Sequence, residues 1–318
     1  LGRLLSTVGV LLMALVLVGY FRPIELSLFI KRAELWTQGE RSHDVMVDGY
    51  RIHYREMGQG TPLLLVHGLG GNSLDWAPVM KTYAKAGYHV LAPDLLGFGK
   101  SQKPDVSYSI EEQTQLVHDF LAVENVPQAD VVGWSMGGWI SLKLALEHPE
   151  NVHRLVVNDS AGLNFLPDYG QTLFTPESED AVNTLLGRLE PKSKPVPRFI
   201  ARDMTRRVKT ETGWVIRRAV ASMYSKADLL DGKLGAINQP VLIVWGADDG
   251  LIPVTSGYEM AREMPQADMQ VFRNCGHMAP EICSTAVSQK TLQFLKAEDP
   301  PKGLIQQTSV VIPYWFPH

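Results

Sequence analysis

The sequence predicts an α/β fold: a mostly parallel central sheet flanked by helices, with a helical insertion and a separate apolar N-terminal helix. Three observations predict it. From Val45 to Lys296, short β-branched runs alternate with longer helical patterns, the signature of strands wound on both sides by helices. The later runs are nearly continuous in apolar residues, as expected of strands covered on both faces. The alternation stops between Leu163 and Gly235, where helical patterns continue without a strong strand.

The expected strands are Val45–Val47, Ile52–Arg55, Leu63–Val66, His89–Ala92, Val131–Trp134, Leu155–Asn158, Val241–Trp245 and Met269–Phe272. The first two lie close together and read as an antiparallel hairpin. Helical stretches fall at Ile110–Glu124, Gly137–Glu147, Thr255–Met264 and Glu281–Lys296. These elements place the core at 45–162 and 236–298, with the insertion at 163–235 over the end of the sheet. The insertion holds the proline-rich linker "PKSKPVPRF" and Arg198, Arg202, Arg206, Arg207, Arg217 and Arg218, which read as a solvated face.

The two ends differ from the core. Leu4–Phe21 has no charged residue. As a helix its 18 residues would span roughly 27 Å, close to a bilayer core, so residues 1–22 read as a single-pass membrane anchor. "GYFRP" lacks the small-x-small pattern of a cleaved signal peptide. Residues 23–44 are either a linker or a short helix lying in the membrane interface. The tail at 299–318 is proline-rich with no helical pattern and reads as disordered or packed on the body.

Composition narrows the class. The 318 residues are 45% hydrophobic and 20% charged, enough for one well-buried domain. A net charge of −4 offers no basic field for nucleic acid. Cys275 and Cys283 are too few for a disulfide scaffold and match no zinc spacing; they read as free thiols, with a bridge between the two as the alternative.

Ligands of open α/β sheets bind beyond the carboxyl ends of the strands, so chemistry is sought there. "VVGWSMGGW" is such an end. A strand closing at Trp134 and a helix opening near Met136 force Ser135 into a disfavoured backbone conformation, with Gly133 and Gly137 relieving the crowding. This is the G-x-S-x-G nucleophile elbow. A serine needs a base, and His277 in "VFRNCGHMAPE" follows the last expected strand. His53, His118, His148 and His153 are not at carboxyl strand ends. The imidazole needs an acid. Asp248 and Asp249 in "WGADDGLIP" are candidates, and Asp159 in "VVNDSAGL" competes. Asp94 reads as a structural residue of its glycine-rich turn. Two backbone donors complete an oxyanion hole: Met136, after the nucleophile, and Leu69 in "HGLGG". His67 reads as a hydrogen-bonding residue of that loop. "GFGKS" is not a P-loop, since Asp94 stands where its first glycine belongs, and no residues have metal-ligand spacing.

Together "HGLGG", "DLLGFGKS", "GWSMGG", "WGADDGLIP" and "NCGH", in this order, resemble the α/β-hydrolase family over roughly Val45 to Lys296. The resemblance implies that Asp249 is the acid of a Ser135–Asp249–His277 triad and that 163–235 is a cap over the site. It further implies a serine hydrolase of carboxylic esters needing no metal or organic cofactor. With the N-terminal anchor, the chain looks most like membrane-bound monoacylglycerol lipases and bacterial esterases, which implies a lipophilic ester substrate and lipid as partner. Serine at the elbow separates it from dehalogenases and epoxide hydrolases. Carbon–carbon-bond hydrolases are the rival reading. They usually carry arginine after the double aspartate and tryptophan after the histidine, where this chain has Gly250 and Met278. A non-catalytic ligand-binding member is the third reading, and it usually has a broken triad.

Overall fold

The computed structural model describes residues 17–311. Among them, nine strands form one sheet in the order β1-β2-β4-β3-β5-β6-β7-β8-β9. They are β1 (Arg41–Val47), β2 (Tyr50–Met57), β3 (Thr61–Val66), β4 (Tyr88–Pro93), β5 (Ala129–Trp134), β6 (Val152–Asn158), β7 (Val241–Gly246), β8 (Asp268–Arg273) and β9 (Ile305–Ser309). β1 pairs antiparallel with β2, and β2 antiparallel with β4. From β4 to β9 every neighbouring pair is parallel.

Period-two alternation builds two cores from the same strands. Leu64, Val131, Val157 and Ile243 face one layer; Leu63, Val132, Val156 and Leu242 face the other. The first layer is closed by α3 (Ile110–Val123), α4 (Met136–Glu147) and α8 (Val254–Glu263), through Phe120, Ile140 and Met260. The second is closed by α2 (Ala77–Lys85) and α10 (Ser284–Leu295), through Met80, Tyr83, Val287 and Phe294.

Several expectations are corrected. β1 begins four residues before the expected run, because Arg41–Asp44 are exposed and carry no apolar signal. α2 was not expected; its short stripe of Val79, Met80 and Tyr83 turns inward. The helix expected at Glu281–Lys296 is two: α9 (Ala279–Ile282) and α10. The tail contributes β9, whose five residues are all exposed and so show none of the burial pattern that marks a strand. Cys275 and Cys283 are not free thiols. They are joined in a disulfide, because the turn of α9 between them brings their Cα atoms to 6.3 Å.

Residues 163–235 sit between β6 and β7 and hold α5 (Glu179–Leu189), α6 (Arg198–Arg207) and α7 (Gly213–Tyr224), with no strand. The arginines there are not simply a solvated face. Arg206 pairs with Asp203 and Glu211, Arg207 with Glu25, and Arg202 lies over the rings of Tyr20 and Phe21. The Arg207–Glu25 pair fastens the cap to α1 (Pro23–Thr37), which forms where a linker or an interfacial helix was expected. Pro23 opens α1, and its Ile24 amide donates at 3.1 Å to Asp203 of α6, a cap supplied from another element. Of the expected membrane span, Leu4–Val16 lies outside the described residues, and residues 17–21 are helical. Among the described residues no helix is long and apolar enough to cross a membrane.

Candidate active site

The strand-to-helix turn between β5 and α4 holds Ser135 at φ 57° and ψ −118°, a left-handed conformation that costs a non-glycine residue on the order of 1–3 kcal/mol. The surroundings over-determine it. The Ser135 amide donates to Asn158 O on β6, and its carbonyl accepts from Gly138, Trp139 and Ala161. Only glycine fits beside it: a Cβ at Gly137 would lie 2.2 Å from Val66 O, and one at Gly133 2.4 Å from Gly137 O. The packing of β3 against the start of α4 therefore dictates Gly137, and the packing of α4 on β5 dictates Gly133.

The loops after three parallel strands converge on this serine. His277, after β8, places Nε2 at 2.9 Å from Ser135 Oγ. Its Nδ1 lies 2.7 Å from Asp249 Oδ2, after β7. The His277 side chain is 2% exposed and that of Asp249 fully buried, so the pair works in a low dielectric. The other oxygen of Asp249 accepts from the Leu251 and Ile252 amides at 2.8 and 2.9 Å, which locks the carboxylate in orientation. His277 is also held through its backbone and that of its neighbour. Its amide donates to Leu189 O of the cap, its carbonyl accepts from Trp134 Nε1, and the Gly276 amide donates to Glu190. Sequence reading singled out neither Trp134 nor Glu190. The tryptophan adjoins the elbow serine, whereas no local pattern marks the glutamate.

The competing carboxylates are placed elsewhere. Asp248 pairs with Lys192 at 2.6 Å. Asp159 is fully buried at the end of β6 and accepts from the Gly246 amide at 2.7 Å. Burial, reinforced by the nearby Asp249 carboxylate, pushes its pKa well above the ordinary value and favours the neutral acid. Asp94 accepts from the Ser73 and Lys100 amides and so holds two turns together.

Met136 occupies the first position of α4, where a backbone N–H has no intrahelical acceptor. Leu69 lines the same cavity as Ser135, and the preceding Gly68 packs against the serine: a Cβ there would lie 3.2 Å from that of Ser135. Buried His67 supports this loop. Nδ1 lies 2.8 Å from Gly68 O, and Nε2 accepts from the Leu95 amide at 2.9 Å, which identifies the neutral Nδ1–H tautomer. Burial depresses its pKa, consistent with that neutral form.

Ser135 opens into a cavity of about 170 Å³ between the sheet and the cap. Trp139, Phe165, Tyr169, Phe174, Val220 and Met223 are among its walls, and Lys226 is its one charged lining residue among the described residues. Leu166, at its edge, is 91% exposed. A concavity beside Gly58 and His89 lies at the opposite end of the sheet from these residues.

Comparison with known proteins gives a consistent fold and two kinds of chemistry. The alpha/beta hydrolase fold family model matches residues 61–281. A 2-hydroxymuconate semialdehyde hydrolase of Pseudomonas sp. (strain CF600) is 30% identical over 258 residues, 75% of this chain and 88% of that protein. A 2-hydroxy-6-oxo-6-phenylhexa-2,4-dienoate hydrolase of Burkholderia cepacia is 27% identical over 275 residues, 78% and 92% of the two chains. Among solved structures, a membrane phospholipase A, described as a novel bacterial virulence factor, superposes with a TM-score of 0.77 at 28% identity. It covers 93% of this chain and 98% of its own. A putative lipase from Acinetobacter baumannii AYE gives a TM-score of 0.75 at 25% identity over 84% and 94% of the chains.

Proposed function

The chain belongs to the α/β-hydrolase fold family, and on that premise we propose that it is a serine hydrolase of lipophilic carboxylic esters, a monoacylglycerol or a related acyl lipid. The observation that carries this reading is the hydrogen-bonded chain Ser135–His277–Asp249, open to an apolar cavity. In this reading Ser135 Oγ attacks the ester carbonyl while His277 Nε2 takes its proton. Asp249 holds the imidazole in its tautomer and stabilises the imidazolium. The Leu69 and Met136 amides receive the developing oxyanion beside the positive end of α4. His277 then protonates the leaving alcohol, and water, activated by the same imidazole, releases the acid.

The cavity supports the lipophilic substrate. Its aromatic and aliphatic walls would bury an acyl chain, at about 0.8 kcal/mol for each methylene removed from water. Residues 1–22 as an anchor, the exposed Phe29, Ile30 and Trp36 on α1 and the likeness to a membrane phospholipase A support action at a membrane surface. The Cys275–Cys283 disulfide supports an oxidising compartment for the catalytic domain.

A second reading, hydrolysis of a carbon–carbon bond in a hydroxy-oxo-dienoate, has specific support of its own. The two sequence relatives described above carry such names, and on substrate class the comparisons support this reading better than the ester reading. A dienoate carries carboxylate, however, and the cavity offers it a single cation, Lys226.

Two measurements test the assignment, the first its nucleophile and the second its substrate class. A fluorophosphonate probe should label the wild type and not Ser135→Ala; equal labelling removes Ser135 as nucleophile. Turnover of p-nitrophenyl esters of rising chain length should exceed turnover of a 2-hydroxy-6-oxo-dienoate by orders of magnitude. The reverse ranking overturns the ester assignment in favour of the second reading.

A further inference from the structure

One lysine of α1 reaches the two loops that flank the candidate nucleophile. Lys31 Nζ donates to Glu281 Oε1 at 2.8 Å, and Glu281 lies in α9, four residues after His277. α1 also packs against the Ser73–Trp76 turn that carries Asp75, whose charge acts on the same ammonium. Asp75 closes the loop that begins with Leu69: its Oδ2 accepts from the Asn72 amide at 2.9 Å, within a reciprocal cap at Asn72–Asp75. That oxygen fills the space beside Gly71, where a Cβ would sit 2.2 Å from it.

The Asp75 turn therefore packs against both the helix that carries Lys31 and the short helix that carries Glu281, and both charges act on Asp75. We propose that Lys31 is a positioning residue that holds the Leu69 loop and the His277 loop in register. The inference rests on the reading of Ser135 as nucleophile and names α1 as part of the catalytic assembly. The physical reason is charge. Without a cation, Asp75 and Glu281 repel at short range and across a partly desolvated gap. The cheapest relief is proton uptake by Asp75 or separation of the two loops. Either weakens the charge-assisted bond to the Asn72 amide that closes the turn after Leu69.

The surrounding groups agree. Burial pulls the Lys31 pKa down, but Glu281, backed by Asp75 and Glu34, raises it above the ordinary lysine value. Burial pushes Asp75 up to about 7; Glu281 and Asp94 add to this, while the Asn72 amide and Lys31 act against it. Asp75 thus titrates in the neutral range, and Lys31 sets how much of it is ionised.

The test uses the full chain. Lys31→Met should lower kcat and the fluorophosphonate labelling rate roughly tenfold, with KM nearly unchanged. That is less than the 10²–10³ expected for outright loss of an oxyanion donor. The acid limb of the kcat–pH profile should move to higher pH. Lys31→Arg should restore both rate and profile. In an Asp75→Asn background, Lys31→Met should cost at most about twofold and move no limb, because the two residues act on one interaction. Unchanged kcat and profile in Lys31→Met overturn the proposal, as does failure of Lys31→Arg to rescue, or an undiminished effect with Asp75→Asn. If the wild type is not labelled at all, the Ser135 reading fails first and this proposal with it. A labelled wild type with an equally labelled Lys31→Met removes this proposal alone.

Discussion

Cys275 and Cys283 are disulfide-bonded across the segment that carries His277, so the candidate base lies inside a covalent loop closed by the short helix α9. The loop also contains Glu281, the partner of Lys31. Both sulfur-bearing residues are buried, at 0% and 3% exposure, so the bridge is shielded from reductant in the folded state.

Removing the bridge should destabilise the protein and disorder the base together. Cys275→Ser/Cys283→Ser should lose about 2–4 kcal/mol of unfolding free energy, measured by denaturant titration. Its kcat should fall with it. Dithiothreitol should have little effect on the native wild type and a large one on its refolding. A variant with wild-type stability and activity would remove the bridge from any role at the site.

Asp249→Asn should lower kcat by roughly 10³–10⁴-fold, because the amide presents the wrong hydrogen-bonding group to His277 Nδ1. Asp159→Asn should cost less than about tenfold. Burial and the Asp249 charge already favour a neutral Asp159, and an amide oxygen can keep the bond from Gly246. Steady-state kinetics on one ester decide this. Equal losses would mean that the acid role is shared or lies on β6.

Asp203→Ala should release α1 from the cap. The change removes the acceptor of the Ile24 amide and leaves the half-buried Arg206 with one fewer partner. Loss of a helix cap typically costs about 1 kcal/mol, and the charged partner adds to it. The loss should show as a lower Tm and as faster exchange of the first amides of α1, with α3 and α4 unaffected. Uniform exchange changes would argue against a local clamp.

Asp75 makes stability fall as pH rises. Its folded pKa is raised to about 7, against an unfolded carboxyl near 3.9. Between those values the folded chain holds a proton that the unfolded chain has released, so each step upward in pH costs the folded state. The contribution is fully present below the unfolded pKa and is lost as pH passes about 7. Asp75→Asn should lack this decline and be the more stable protein under alkaline conditions. Denaturation curves at acid and alkaline pH, with the two proteins side by side, give the comparison; parallel curves would count against it.

Much of the site was legible because each part is local. The elbow needs small residues within five positions, and "VVGWSMGGW" shows them. The chain order of Ser135, Asp249 and His277 follows from where strands end. The buried runs of β5 to β8 announce themselves because both faces are covered. Other parts carry no such signal. β9 pairs with β8 through its backbone while all five side chains stay in water, so its sequence lacks alternation. The exposed start of β1 is silent for the same reason.

By itself the sequence determined the parallel sheet, the helical insertion and the residue types at three strand ends, since periodicity and turn chemistry are properties of neighbouring residues. The resemblance pointed to Asp249, but only the tertiary structure showed that it, and neither Asp159 nor Asp248, bonds His277, that Cys275 and Cys283 pair, and that Asp203 and Lys31 bind α1 to the cap and to α9. Those choices depend on distances between residues far apart in the chain, or on the path of the turn between them. Packing sets such distances, and no local pattern encodes them.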